Sequence, residues 1–139
     1  MTNIKVEYLG DLRCETKHGP SDKVLITDAP KESTGRGESF SPTDLVAVAL
    51  GSCILSAMAI VANRHGIDIS GATATVDKQM ANSPVRRIGK LAVNIHMPRS
   101  LAERDRQRLE HAANTCPVHE SVHPDVHIPI EFSWGKALE

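Results

Sequence analysis

The spacing of apolar residues changes period along the chain. Near the amino terminus Ile4, Val6 and Tyr8 alternate with polar residues, which is the two-residue period of a strand with one covered face. Leu12 to Thr16 and Val24 to Thr27 read as two further strands joined by Gly-containing turns, so three short antiparallel strands open the chain. The segment Ala29 to Phe40, APKESTGRGESF, has the Pro, Gly and Ser content of a loop and delivers Arg36 close to the next element.

That element is SPTDLVAVALGSCILSAMAIVANRHG, Ser41 to Gly66. Fifteen of the eighteen residues from Leu45 to Ala62 are apolar and none is charged, on every side of the helix they predict. Ser41 suits the N-cap, Pro42 the first helical position and Asp44 the acid of a capping box; His65 and Gly66 mark the end. Ile69 to Met80 and Arg87 to Met97 then return to the strand period, separated by a turn around Asn82, Ser83 and Pro84. Ser100, with Glu103 in capping-box position, predicts a second helix. Its inner stripe is Leu101, Leu109, Ala112, Ala113 and Cys116, with Arg104, Asp105, Arg106 and Gln107 mostly outward. Pro117 ends or re-initiates that helix, and Ile128, Ile130, Phe132 and Trp134 form the inward side of a last strand. The class is α+β, with antiparallel sheets around a long buried helix.

The first helix is long enough to span a membrane, but five alanines, Gly51, Ser52 and Ser56 dilute it and strands flank it on both sides. Burial inside protein accounts for it better, and no membrane partner is expected. The strands of one small chain cover only one side of such a helix, which leaves an apolar face open. A two-fold dimer closes that face, with Gly51, Ser52 and Ser56 letting two helices approach.

At 139 residues the chain is expected to form one domain, its final Leu138 and Glu139 resembling a cloning remnant. Sixteen basic and seventeen acidic side chains nearly cancel, so no nucleic-acid partner is expected. The opening MTNIKVEYLG lacks the basic and apolar blocks of a secretory signal, which favours the cytoplasm, and three cysteines there start as free thiols.

Taken alone, Cys53 is core packing, since free cysteine behaves as a small hydrophobe and burial makes it inert. Chemistry at Cys53 requires a nearby cation: a thiol of pKa about 8.5 is only a few per cent thiolate at neutral pH. Cys116, in NTCPVHES, is a helix-end thiol, and Cys14 on an early strand is packing. Cys116, His119, His123 and His127 also form C-x2-H-x3-H-x3-H, with His111 nearby, a pattern open to zinc. Pro117, Pro124 and Pro129 oppose it by preventing one continuous helix from aligning those ligands.

SPTDLVAVALGSCILSAM followed by NTCPVHES resembles the OsmC/Ohr family of osmotically inducible and organic-hydroperoxide-resistance proteins, over nearly the whole chain. The resemblance implies an intertwined homodimer around two central helices. It implies that Cys53 attacks an organic hydroperoxide, that the resulting sulfenic acid is resolved by Cys116 as a disulfide, and that an external dithiol or lipoylated protein reduces it, with no resident cofactor. It also implies an activating arginine, for which Arg36 in GRGESFSPTD and Arg13 in GDLRCE are the candidates, and an acid that orients it. Family members commonly carry Pro-Glu at the helix start; this chain has Pro42-Thr43, with the acid displaced to Asp44. Asp44 and Cys53 stand about 13 Å apart along one helix, so Asp44 and its arginine would serve the Cys53 of another subunit. That departure leaves a second expectation: a small-molecule-binding protein of the same fold without efficient peroxidase turnover.

Overall fold

A computed structural model of the chain describes residues 1–135; Leu138 and Glu139 lie outside them. The chain divides into two compact units, Met1–Val46 and Ala47–Glu139.

The first unit is built on a sheet of three antiparallel strands in the order β1 (Ile4–Gly10), β2 (Arg13–His18) and β3 (Val24–Asp28). The β1–β2 turn is tight: Asp11 and Leu12 both have positive φ, 54° and 62°, the backbone of a two-residue hairpin whose twist matches the strands. Register pairs Tyr8 with Cys14 and Cys14 with Thr27, so Cys14 sits in the middle of the sheet. The loop after β3 is laced back to that sheet, Asp28 N–H donating to Phe40 O at 3.0 Å and Ser39 Oγ–H to Ile26 O at 2.7 Å.

Helix α1 runs Pro42–Arg64. Its start is a reciprocal capping box: Asp44 N–H donates to Ser41 Oγ at 3.1 Å and Ser41 N–H donates to Asp44 Oδ2 at 2.9 Å. Its end is closed by Gly66 at φ 68° with Ile67 N–H on Ala62 O at 2.9 Å, so both ends fall where the sequence puts them. Ala47, Leu50, Gly51, Ile54, Met58 and Ala62 are buried along one face. The opposite stripe of Val48, Ser52, Ser56 and Ile60 is exposed. All-round hydrophobicity is therefore covered on one side only within the chain.

In the second unit β4 (Thr73–Ala81) pairs antiparallel with β5 (Arg87–Met97), and β6 (Ile130–Trp134) pairs with β5 in parallel. The expectation of wholly antiparallel sheets is corrected here: β5 reaches β6 through helical segments, the long crossover that returns a strand in the same direction. Leu91, Val93, Ile95 and Met97 alternate inward along β5 and are at most 1% exposed. With Leu50, Ile54 and Met58 of α1 and Leu109 and Ala113 of the next helix they form the core, each large side chain contributing about 1.5–3 kcal/mol by leaving water. Gly51 lies on this side: a Cβ placed on it would come within 3.1 Å of Val76 Cγ2 and 3.6 Å of Ala74 Cβ. It thus serves the approach of α1 to β4, in place of the helix–helix contact expected of it.

Helix α2 spans Glu103–Asn114, and it begins later than the Ser100 cap predicts: its N-cap is Ala102, without a side-chain cap. Ser100 instead accepts a hydrogen bond from Arg106 Nη2 at 2.8 Å, and Arg106 Nε donates to Leu101 O at 3.0 Å. The guanidinium lies 5.1 Å from the centre of the Trp134 ring, a cation–π contact that turns Arg106 inward rather than outward. Pro117 re-initiates the chain as a short helix, α3 (Pro117–Ser121).

Candidate active site

The two cysteines singled out by sequence meet inside the second unit. Cys53 is half-buried at the middle of α1, and Cys116, 1% exposed, follows the end of α2. The chain breaks there for a local reason. Thr115 turns its hydroxyl back on His111 O at 2.8 Å, and Cys116 takes an extended backbone that Pro117 extends into the first turn of α3. Cys116 is consequently the N-cap of α3, its Sγ accepting the His119 N–H at 3.4 Å. Both thiols are free.

Burial pushes the Cys116 thiol above the ordinary range, against the pull of the His119 amide, and the neighbouring Cys53 pushes in the same direction. Cys116 therefore holds its proton while facing Cys53.

The other expected residues belong to the first unit. Arg36 is exposed on the loop after β3. Asp44 forms the capping box of α1. Arg13, on β2, lies with its Nη1 3.3 Å from Glu38 Oε2 and 3.8 Å from Asp28 Oδ2. Asp28 is fully buried, accepts the Glu38 N–H at 3.0 Å on Oδ2, and leaves Oδ1 without a hydrogen-bond partner among the described residues. Sequence reasoning missed Asp28 and Glu38: the expected third strand ends at Thr27, one residue short of the Asp28 that the observed register pairs with Arg13. The zinc pattern does not assemble: among the described residues no three His, Cys, Asp or Glu side chains group closely enough to hold a metal. Cys116 turns inward as a cap, while His127 is held in a ladder with Gly89 and Leu91.

A cleft of about 420 Å³ adjoins Cys116. Ala57, Ile60 and Val61 of α1 and Ala112 of α2 give it an apolar lining, and His65, Arg108 and His111 give it a basic one.

Fold and thiol pair together define a class of α+β protein with two neighbouring free thiols beside a long central helix, and comparison supplies the family. The model of the OsmC-like protein family matches residues 35–131, and the chain belongs to that family. A crystal structure of a protein of Psychrobacter arcticus 273-4, provisionally described as an osmotic stress induced and detoxification response protein, is similar over 96% of both chains, with 42% identity and a TM-score of 0.91. An organic hydroperoxide resistance protein OsmC of Legionella pneumophila shares the fold at 21% identity and a TM-score of 0.77 over 96% of both chains. OhrB of Bacillus subtilis does so at 18% identity and a TM-score of 0.69, over 96% of this chain and 98% of its own. No curated protein compared with the chain matches it.

Proposed function

We propose that this protein is a cysteine-based peroxidase that reduces organic hydroperoxides in oxidative stress defence. The observation that carries the reading is that Cys53, at the middle of α1, and Cys116, at the end of α2, neighbour each other as free thiols. Family membership and the hydroperoxide-resistance neighbours support it.

In the proposed cycle the Cys53 thiolate attacks the terminal peroxide oxygen, the O–O bond breaks, and an alkoxide leaves to take a proton as the alcohol. Cys53 is then a sulfenic acid. The Cys116 sulfur attacks the Cys53 sulfur, its proton joins the departing hydroxyl as water, and the S–S bond forms. One hydroperoxide has become an alcohol and water, and two thiols a disulfide. An external dithiol or lipoylated protein restores the thiols, and the cytoplasm is the compartment that supplies it.

An arginine, Arg36 or Arg13, stabilises the Cys53 thiolate in this proposal. The protein works as a homodimer, in which a second copy covers the exposed stripe of α1; Val48 and Ile60 on it are 46% and 55% exposed, which is costly for a chain left alone. In the test, reduced protein is mixed with cumene hydroperoxide and peroxide loss is followed: the wild type consumes it and Cys53→Ser does not. Loss that persists in Cys53→Ser contradicts the assignment, and no loss in either protein favours a binding protein of the same fold.

A further inference from the structure

We infer that Asp28 is a positioning residue for Arg13: its buried carboxylate aims the guanidinium that activates Cys53. This selects Arg13 over Arg36 and moves to the end of β3 a part expected of Asp44 at the start of α1. The inference rests on the proposed activation of Cys53 by an arginine, and it adds which arginine acts and what holds it.

Arg13 and Asp28 are cross-strand partners in the pairing of β2 with β3. Asp28 is fully buried, and backbone fixes it from two directions: its N–H donates to Phe40 O at 3.0 Å, and its Oδ2 accepts the Glu38 N–H at 3.0 Å. Arg13 Nη1 lies 3.8 Å from that same Oδ2. Glu38 Oε2 reaches Nη1 at 3.3 Å, but the Glu38 side chain is 58% exposed against 0% for Asp28, so water and salt compete for its contact. The nearer carboxylate is the more screened, and the buried one is the more fixed.

Stability alone does not account for a carboxylate at this position. Oδ1 is buried without a hydrogen-bond partner among the described residues, an arrangement that costs stability. Asparagine would accept the Glu38 amide equally well and bring no charge. A charge kept there serves the charge opposite it. The two oxygens of a carboxylate match paired N–H groups of a guanidinium, and Oδ1 is the oxygen that completes such a fork. Both carboxylates meet Arg13 at Nη1, one of its three nitrogens, which leaves N–H donors to face a thiolate. Arg36, by contrast, is exposed on its loop. A cation stabilises a developing charge best when its direction is set beforehand, and of the two arginines Arg13 is the one with a buried carboxylate beside it.

The test reads Cys53 itself and needs no turnover; the peroxidase reading fails separately, if wild-type protein leaves cumene hydroperoxide unconsumed. Alkylation of Cys53 by iodoacetamide in the full-length reduced protein is followed by peptide mapping from pH 7 to 10. Asp28→Asn should slow it roughly five- to tenfold at pH 7, the effect of about one pKa unit on thiolate content, and match wild type at pH 10, where a thiol ionises unaided. Arg13→Ala should slow it at least as much, and the double variant no further, because Asp28 acts through Arg13. An unchanged rate in Asp28→Asn overturns the positioning role. So does a faster one, which is the result for a carboxylate that only offsets the Arg13 charge. A slowing that persists at pH 10 reports altered access to Cys53 and overturns it as well, as do additive losses in the double variant or a wild-type rate in Arg13→Ala. Asp28→Ser, with the same expectations, replaces Asp28→Asn if circular dichroism shows the amide variant unfolded.

Discussion

The Cys116 thiol neighbours Cys53, and the same Cys116 sulfur accepts the His119 amide that starts α3. One sulfur thus faces its redox partner and caps a helix at once. Burial and the neighbour raise its proton affinity while the backbone amide lowers it, and burial wins.

This has a consequence for stability against pH. Because the folded chain holds the Cys116 proton more tightly than the unfolded chain, stability contributed by this group is present below the ordinary thiol pKa and is lost as pH rises through it to the raised value. Melting temperatures measured from pH 7 to 10 should fall more steeply for wild type than for Cys116→Ser. Parallel slopes would contradict the burial of that proton.

The start of α1 gives a second expectation. Ser41→Ala removes the acceptor for the Asp44 amide and should cost about 1 kcal/mol in urea unfolding. Asp44→Asn should cost less, since the amide oxygen still accepts from Ser41 N–H. A cost near zero for Ser41→Ala would show that the box adds nothing to α1.

Gly51 is decided by contact with β4. Gly51→Leu pushes a side chain against Val76 and Ala74 and should destabilise by about 1–3 kcal/mol through overpacking. Ser52→Leu, on the exposed stripe, should instead change self-association, read by analytical ultracentrifugation, with the dimer weakened at least tenfold. A dimer unaffected by Ser52→Leu and by Val48→Asp would remove α1 from the proposed interface.

The two arginines separate kinetically. One of Arg36→Ala and Arg13→Ala should lower kcat/KM for cumene hydroperoxide by on the order of 10²-fold, as loss of a charge-stabilising donor does, while the other stays within threefold. Both within threefold would exclude an activating arginine from this pair.

Much of this architecture could be read from the chain before any coordinates. The ends of α1 follow from Ser41, Pro42, Asp44 and Gly66 because caps are local chemistry, and β5 keeps its bounds because a clean alternation of four core residues fixes its faces. Three features escaped because they are set at a distance. The direction of β6 is not encoded in Ile130–Trp134, whose alternation suits either pairing. The start of α2 depends on Arg106 reaching both Trp134 and Ser100. Gly51 meets Val76, a partner that helical periodicity does not name. The site divides in the same way. Cys53 and Cys116 were legible as a pair only through resemblance, since neither spacing nor composition brings a mid-helix thiol to a helix end. Asp28 beside Arg13 became visible once strand register was known.

The most direct test of the central claim is rapid-quench peptide mapping of reduced protein mixed with one equivalent of cumene hydroperoxide. The account predicts a Cys53–Cys116 disulfide within the first turnover, a trapped sulfenic acid on Cys53 in Cys116→Ser, and Cys14 unmodified in both. Protein that remains fully reduced, or a first oxidation mapped to Cys14 or Cys116, would contradict it.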